Sequence, residues 1–361
     1  MNNRRIYIFL ILILLPLIAL GRNTGDAQKE LAKQKIEYSA DGFIERVLSA
    51  DYHAIDLFLK AGMDINTTDS MDRTALMRVA QNGEIEVAQY SIKKGADINL
   101  QDVEGRTALI NAAWKGDSKI VSLLLDNGAK VNTKDVFGKD ALYFGVVGND
   151  TEVLNLLLTY GADVNSQDNI GQTALMKAAA DGKVAMVSTL LNHNAELEIK
   201  DNKGETALAL AQTVFSNLRT SALLLEKGTD PESKDENEET PLMIAARKKL
   251  PQNVQLLLYY KANPNEKDNK GNTALIFASR AGDLDSVQGL IDMRANINDK
   301  NDLGESSLYW ASRNGYEDIV QLLVDNGADI HAKNNQGDTP LKAAVLSGNT
   351  KVGYILRKAL H

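Results

Sequence analysis

The chain has 361 residues, a formal net charge of −8 and no cysteine. The lack of cysteine excludes disulfide bonds, thiol catalysis and thiolate metal sites, and it suits an oxidising compartment, where free thiols are a liability. Charges of both signs are mixed along the chain without a basic tract, so nucleic acid is not an expected partner.

The first segment, Met1–Gly21, differs in composition from the rest of the chain. Arg4 and Arg5 precede an apolar run over residues 6–20, which ends in small residues. This is the three-part pattern of a secretory signal peptide. The alternative is a retained signal anchor, although a membrane-spanning helix takes about 20 residues. Both interpretations place the rest of the chain outside the cytoplasm, in the periplasm or secreted.

Residues 22–38 are predicted to form a polar, partly helical spacer. The next stretch, residues 39–68, has apolar residues such as Phe43, Val47 and Ile55 ahead of Gly62, but it lacks the start motif of the repeats that follow. Terminal repeats need a modified outer face. We therefore interpret residues 39–68 as a divergent capping repeat.

From residue 69 onward the sequence repeats itself. A Thr, Ser or Asp recurs every 33 residues, with one interval of 34 between Thr206 and Thr240, and a leucine always follows two positions later. A fixed period of this length indicates stacked units that bury their apolar faces against one another. A side-chain oxygen at this place is typical of a helix start. These positions, here called the cap column, are Thr74, Thr107, Asp140, Thr173, Thr206, Thr240, Thr273, Ser306 and Thr339.

Each repeat also predicts a second helix, with apolar residues at the spacing of one buried face, such as Val121 and Leu124. It ends at a glycine in most repeats, for example Gly128, because glycine adopts the left-handed conformation at least cost. Lys261 and Arg294 stand in that place in two repeats. Other residues pay about 1 to 2 kcal/mol for this conformation, so looser connections are expected there.

Each repeat opens with a tight turn. Asp or Asn stands five residues before each cap position, and a glycine follows it three residues later in seven of nine repeats, as in Asp102 and Gly105. Together with the Thr-Ala-Leu start, the Ala-Ala pair and the closing Gly-Ala-Asp-x-Asn, this pattern resembles the ankyrin repeat. Where that family often has histidine after the leucine, this chain has residues such as Met77 and Ile110, so the usual imidazole hydrogen bond is not expected.

The resemblance covers about residues 37–361. It implies an all-α repeat solenoid of about ten stacked helix–turn–helix repeats, with hairpin-like fingers at one edge. The expected repeat domain is residues 39–361, with nine further repeats in residues 69–361 after the capping repeat.

No catalytic, metal-binding or cofactor-binding constellation stands out, so we expect neither an enzyme nor a bound cofactor. The four histidines lie in different repeats, and none has a neighbour at metal-ligand spacing. The glycines belong to turns, and the acidic run at residues 235–239 lacks the ligands of a calcium loop. An enzymatic alternative, glycan hydrolysis, would need two carboxylates about 5 to 10 Å apart across a cleft.

Aromatic residues follow the leucine position in three repeats. They are Tyr143, Phe144, Phe277, Tyr309 and Trp310. One interpretation is a platform that stacks against sugars or other ligands. The other is packing between repeats, which we expect because buried aromatics mainly fill space.

In the ankyrin family, the turn residues and the two positions before the mid-repeat glycine tend to lie on the concave face. Carried over to this sequence, the resemblance implies an apolar stretch followed by a basic one. Large apolar side chains at exposed positions mark a contact surface. The apolar positions are Met71, Val103, Trp114, Val136, Phe137, Val147 and Ile170. The basic positions are Arg247, Lys248, Arg280 and Arg313.

These residues predict a two-part groove that binds another protein, with aromatic anchors around Trp114 and Phe137 and an arginine-rich region that binds acidic groups. In the alternative, the side chains arose singly and the arginines pair with glutamates of the next finger. We expect a monomeric scaffold, inhibitor or tether that contacts the membrane only through an uncleaved N-terminal segment. A membrane-anchored spacer and a glycan-binding module are the alternative functions.

Repeats six and seven depart from the pattern. Repeat six carries the additional residue and lacks the Ala-Ala pair and mid-repeat glycine, and repeat seven has Glu238 at the turn glycine and Pro251 near its second helix. We expect a local change of curvature between Ala211 and Gln252. The alternative is neutral drift in a tolerant loop.

Overall fold

The computed structural model describes residues 24–212 and 217–360. Within these residues the secondary structure is helical, apart from isolated β-bridges. The predicted signal segment Met1–Gly21 and residues 213–215 of the irregular sixth repeat lie outside the described residues. Two compact units are present, one ending at Asp163 (unit 1) and one beginning at Val164 (unit 2).

Unit 1 contains helix α1, residues 24–33, in the segment expected to be a spacer. Leu31 of this helix is fully buried, so the segment packs against the protein. Four helix pairs follow. Their first helices are α2 (Ala40–Leu48), α4 (Ala75–Asn82), α6 (Ala108–Lys115) and α8 (Ala141–Gly148). Their second helices are α3 (Tyr52–Lys60), α5 (Ile85–Lys93), α7 (Ser118–Asp126) and α9 (Thr151–Thr159).

Unit 2 contains six helix pairs. The first helices are α10 (Ala174–Ala180), α12 (Ala207–Ala211), α14 (Pro241–Arg247), α16 (Ala274–Ala281), α18 (Ser307–Asn314) and α20 (Pro340–Leu346). The second helices are α11 (Val184–Asn192), α13 (Leu218–Glu226), α15 (Pro251–Tyr259), α17 (Leu284–Asp292), α19 (Glu317–Asp325) and α21 (Thr350–Lys358). The described residues thus contain ten pairs, and the prediction of an all-α repeat fold is confirmed.

The cap column begins the first helix in all nine repeats, as predicted. Each cap side chain accepts a hydrogen bond from the backbone amide three residues later. Thr107 Oγ1 accepts from Ile110 N at 3.3 Å, and Asp140 Oδ1 accepts from Tyr143 N at 3.0 Å. These bonds satisfy amides that have no partner inside the helix.

The turn prediction is also confirmed in all nine repeats. The Asp or Asn side chain accepts hydrogen bonds from the amides two and four residues later. Asp102 Oδ1 receives both at 2.9 Å, from Glu104 and Arg106. Gly105 then turns the chain with a φ of 75°, a conformation that glycine reaches without steric cost.

Neighbouring turns are joined by single backbone hydrogen bonds, a series we call the tip ladder. In unit 1 the ladder is Val103 N to Met71 O at 3.1 Å and Val136 N to Glu104 O at 2.9 Å. In unit 2 it runs from the bond between Asn202 N and Ile170 O, at 3.0 Å, to the bond between Asn335 N and Leu303 O, at 2.9 Å. The finger turns within each unit are therefore held side by side by main-chain atoms.

The second helices from α3 to α19 end in the same left-handed turn whether or not a glycine is present. Gly128 has a φ of 89°, Lys261 of 71° and Arg294 of 63°. In all three turns the following amide donates to a carbonyl of the last helical turn at 2.9 or 3.0 Å. The expectation of looser connections is wrong, because Lys261 and Arg294 adopt the strained conformation and the hydrogen bonds are kept.

The first helices approach each other closely where their residues are small. An ideal Cβ on Gly148 would lie 2.4 Å from the carbonyl oxygen of Ala113, so only glycine fits between α6 and α8 at this point. The leucines two residues after the cap, such as Leu109 and Leu142, are fully buried in all repeats except the last, where Leu341 is half-buried. Burial of such side chains supplies most of the stabilisation.

The irregular sixth repeat is held by buried polar contacts. Helix α12 has five residues, whereas the other first helices have seven to nine. Gln212, Ser221 and Asn253 are at most 2% exposed and form a network. Asn253 Nδ2 donates to Gln212 Oε1 at 2.7 Å, and Gln212 Nε2 donates to Ser221 Oγ at 3.1 Å. The change of curvature between Ala211 and Gln252 stays a prediction.

Candidate functional site

Unit 1 exposes large apolar side chains at the tips of its finger turns. Met71, Val103, Val136 and Phe137 are exposed, and Phe137 keeps 57% of its accessible surface. The tip ladder places the turns that carry them next to one another. Four of the predicted binding residues therefore lie along one edge of unit 1.

Trp114 extends this edge onto the first helices. Its ring lies 5.5 Å from that of Phe144, which lies 5.8 Å from that of Tyr143. Lys139 Nζ lies 4.6 Å from the Tyr143 ring centroid and 6.0 Å from that of Phe137. We call these five residues the Trp114 cluster, and it connects the two predicted anchors through direct contacts.

The cluster corrects the expectation of core packing for two aromatic residues. Tyr143 and Phe144 are only half-buried, because they lie at the side of α8 that continues the exposed edge. Phe277 and Tyr309 of unit 2, by contrast, are buried as expected. The distinction depends on neighbouring repeats, which the local pattern does not encode.

A basic side chain, which the sequence reasoning missed, fixes one side of Trp114. The guanidinium carbon of Arg106 lies 5.8 Å from the Trp114 ring centroid. Arg106 also pairs with Glu104 at 2.9 Å and with Asp102 at 3.3 Å. The finger turn therefore holds the guanidinium over the indole, and the indole keeps 42% of its surface exposed.

The finger tips of unit 2 carry fewer apolar side chains. Ile170, a predicted binding residue, is exposed. Leu303 is also exposed and keeps 62% of its accessible surface. Leu303 was missed in the sequence. It occupies the same place in its turn as Phe137 and Ile170, the residue before the turn glycine, and this place was the signal that could have found it.

The predicted basic residues of unit 2 differ in the side chains that they contact. Arg247 Nη2 is bound to Glu239 Oε2 at 2.7 Å, while Lys248 is exposed at the end of α14. Arg280 and Arg313 instead lie against the ring of Trp310, at 4.3 and 5.2 Å from its centroid. Trp310 is half-buried, so the expectation that it is a core residue is also wrong.

The finger turns and the first helices form one face of each unit, which we call the finger side, and the residue just before each cap position contributes to its charge. In unit 1 this residue is basic in three repeats, and in unit 2 it is acidic or neutral. The residues are Arg73, Arg106 and Lys139 in unit 1, and Gln172, Glu205, Glu239, Asn272, Glu305 and Asp338 in unit 2. Burial, and then the neighbouring carboxylate of Asp201, raise the pKa of Glu205, so the fold disfavours further negative charge there.

Comparison with known families decides the identity of this fold. The family described as "Ankyrin repeats (3 copies)" matches residues 46–135, 142–235, 212–301 and 293–359. These matches cover most of the chain. The chain belongs to the ankyrin-repeat family. The resemblance stated from the turn, the cap column and the Ala-Ala pair is thereby confirmed.

The ankyrin-repeat assignment agrees with the solved structures. The crystal structure of the human ASB11 ankyrin repeat domain is similar, with a TM-score of 0.56 and 26% sequence identity. The similarity covers 62% of this chain and 99% of that domain. Among curated proteins, none matches this chain.

The described part of this ankyrin-repeat protein contains no cluster of three His, Cys, Asp or Glu placed to hold a metal ion. The acidic run at residues 235–239 forms a finger turn, in which Asp235 accepts the amides of Asn237 and Glu239. His53 and His331 are exposed. No helix over the described ranges is long and apolar enough to span a membrane.

Proposed function

We propose that this ankyrin-repeat protein binds another protein through the finger side of its repeats, as a scaffold, inhibitor or tether without chemistry of its own. Ankyrin repeats are generally protein–protein interaction modules. The observation that carries the proposal is the exposure of Trp114 and Phe137 in one connected cluster on unit 1.

Exposed aromatic side chains of this size favour a contact surface. Monomeric proteins seldom leave large contiguous apolar patches open to solvent, and Trp and Arg often dominate the energy of an interface. Trp114 is also held between Phe144 and Arg106. A side chain that is ordered before binding loses less conformational entropy on association, which favours affinity.

The proposed location of the protein is outside the cytoplasm. The support is the N-terminal sequence, where Arg4 and Arg5 precede the apolar residues 6–20. Cleavage after this segment would release the repeats into the periplasm or the medium as a monomer. Retention would make residues 6–20 a membrane anchor and the repeats a tether.

Affinity capture from envelope and secreted fractions tests the proposal. The bait is residues 23–361, compared with the Trp114→Ala/Phe137→Ala variant. The matched control is Tyr259→Ala/Met293→Ala, which removes two exposed apolar side chains at the ends of second helices. We expect a protein that is retained by the wild type and the control and lost with the cluster variant.

Circular dichroism and urea unfolding establish that each bait is folded. Equal retention by the wild type and the folded cluster variant would contradict the proposed binding surface. If no bait retains a protein and the full chain is found only in membranes, the alternative of a membrane-anchored spacer is favoured, on the evidence of the apolar residues 6–20.

A further inference from the structure

The finger side of unit 2 contains a pocket of about 420 Å³ between repeats eight and nine. Helix α16 contributes Arg280, helix α18 contributes Trp310 and Arg313, and the two finger turns contribute polar residues that include Asn272 and Glu305. The whole pocket belongs to unit 2 and contains none of the residues of the Trp114 cluster.

Two cations share one aromatic ring in this pocket. The guanidinium carbons of Arg280 and Arg313 lie 4.3 and 5.2 Å from the Trp310 ring centroid. Stacking on an indole favours a guanidinium electrostatically and orders it. The pocket therefore presents two ordered guanidinium groups, which can donate hydrogen bonds.

The equivalent arginine of the preceding repeat shows what is missing. Arg247 occupies the same repeat position as Arg280 and Arg313, seven residues after the cap column. Its partner is Glu239, the residue just before the cap, at 2.7 Å. At that position repeat eight has Asn272 instead of an acid. Arg280 therefore has no carboxylate equivalent to the one that neutralises Arg247.

Repeat nine keeps the acid but uses it elsewhere. Glu305 is 6% exposed, and its carboxylate accepts a hydrogen bond from Asn301 Nδ2 at 3.1 Å. Within residues 217–360, no carboxylate forms a salt bridge with Arg280 or Arg313. Both guanidinium groups remain available to an anion from outside the chain.

The charges of the lining define the kind of anion. The pocket is lined by three cations, Lys270, Arg280 and Arg313, and by two acids, Asp302 and Glu305, so its formal charge is 3 − 2 = +1. A singly charged carboxylate neutralises this set, whereas a doubly charged phosphate would give it a net negative charge beside two acids. Leu303, also part of the lining, offers an exposed apolar contact beside the cations.

We propose that this pocket binds an acidic side chain of the partner protein, with the carboxylate bound by Arg280 and Arg313 and a neighbouring apolar residue on Leu303. The proposal rests on the proposed function, because it names the chemistry of the partner. Planar guanidinium groups bind carboxylates through paired hydrogen bonds, and water is excluded on one side by the indole.

Fluorescence of Trp310 provides a direct test on the protein without its partner. The chain has two tryptophans, so Trp114→Phe leaves Trp310 as the only indole reporter. The probe is a capped peptide of alternating Leu and Glu, compared with the same peptide containing Gln and with inorganic phosphate. We expect a saturable change in emission with the Glu peptide, and binding weaker by about tenfold or more with the Gln peptide and with phosphate.

Three variants connect the signal to the pocket. Arg280→Gln and Arg313→Gln should each weaken binding of the Glu peptide by about tenfold or more. Asn272→Glu should weaken binding equally without removing a cation. It gives Arg280 an acid at the position from which Glu239 pairs with the equivalent Arg247. The control is Arg247→Gln, which lies outside the pocket and should change the affinity by less than about twofold.

Several results would overturn the proposal. They are no saturable response to the Glu peptide at millimolar concentration, equal binding of the Gln peptide, tighter binding of phosphate, or an unchanged affinity in folded Asn272→Glu. In the capture experiment, a partner lost with Trp114→Ala/Phe137→Ala but kept by Arg280→Gln/Arg313→Gln contradicts the pocket and leaves the proposed function standing. A partner kept by both contradicts the proposed function.

Discussion

The hydroxyl of Tyr90 donates a hydrogen bond of 2.6 Å to Asp56 Oδ1 and so connects second helices α5 and α3. Lys94 Nζ lies 2.6 Å from the same oxygen. The Lys94 hydrogen bond, and then that of Tyr90, hold the pKa of Asp56 below its usual value. Burial, and then the bond to Asp56, raise the pKa of Tyr90. This contact ties two repeats together through ionisable groups.

The pKa of Asp56 predicts a loss of stability in acid. Asp56→Asn should lower the free energy of unfolding at pH 7 by about 0.5 kcal/mol, since the pair is partly exposed and screened. The folded pKa is depressed, so the contribution is present above the unfolded pKa of about 3.9 and lost as the pH falls through the folded value. Urea unfolding at neutral and acidic pH measures the difference between the two proteins, and a difference that persists at the lowest pH would contradict this account.

Tyr90→Phe should lower the free energy of unfolding at neutral pH, and this effect should disappear in alkali rather than in acid. The folded pKa of Tyr90 is raised, so its contribution is present below the unfolded pKa of about 10 and is lost as the pH rises through the folded value. The expected loss at pH 7 is about 1 kcal/mol, because phenylalanine cannot donate this part-buried hydrogen bond to Asp56. Tyr259→Phe, on a side chain that is 75% exposed, is the control and should leave the urea midpoint unchanged.

Glycine should stabilise the two strained helix ends. Lys261→Gly and Arg294→Gly relieve positive φ values of 71° and 63° and should each raise the free energy of unfolding by about 1 kcal/mol. The reciprocal control is Gly327→Ala, where nothing lies within 4 Å of a built Cβ, so only the backbone conformation resists the change. Urea unfolding that shows no gain for Lys261→Gly would mean that its side chain makes compensating contacts.

The buried network of repeats six and seven should be sensitive to single deletions. Asn253→Ala leaves Gln212 Oε1 without its 2.7 Å donor in a fully buried place, and it should cost about 1 to 3 kcal/mol. The exposed neighbour Gln255 lies on the same helix, and Gln255→Ala should change stability by less than about 0.5 kcal/mol. Equal effects of the two substitutions in urea unfolding would refute the network.

The turn carboxylates should be replaceable by amides but not by alanine. Asp268 Oδ1 accepts the amides of Lys270 and Asn272 at 2.9 and 2.7 Å. Asn301 performs the same function in the next turn, so Asp268→Asn should lower the thermal midpoint only slightly. Asp268→Ala should cost about 2 kcal/mol or more, because it leaves two amides without an acceptor. Similar midpoints for the two variants would contradict the turn account.

The features that sequence predicts here are those decided within a few residues. A cap oxygen such as that of Thr107 bonds an amide three residues away, and Asp102 bonds amides two and four residues away, so residue type and spacing suffice. Burial of Tyr143 or Trp310 depends on which side chains the adjacent repeats present. The single-sequence pattern therefore placed the exposed tips correctly and misassigned these rings to the core.

Whether an arginine is neutralised by an acid also depends on residues in neighbouring elements. Arg247 and Arg280 look alike in the repeat pattern, yet one is neutralised by Glu239 and the other lies on Trp310. The difference arises because repeat eight has Asn272 where repeat seven has Glu239. The effect of this amide on Arg280 depends on how the finger turn packs beside the helix, which the repeat pattern does not give. The sequence predicted that the left-handed conformation would be costly at Lys261 and Arg294. It did not predict that the left-handed turn and its hydrogen bonds would be kept despite this cost.

The tip ladder has a consequence for how such a surface changes over generations. The bonds from Val103 N to Met71 O and from Val136 N to Glu104 O use main-chain atoms alone. Mutation of the side chains at these tips leaves the bonds between fingers in place. Selection for a new partner can therefore act on the tips one codon at a time, with little penalty from loss of the fold.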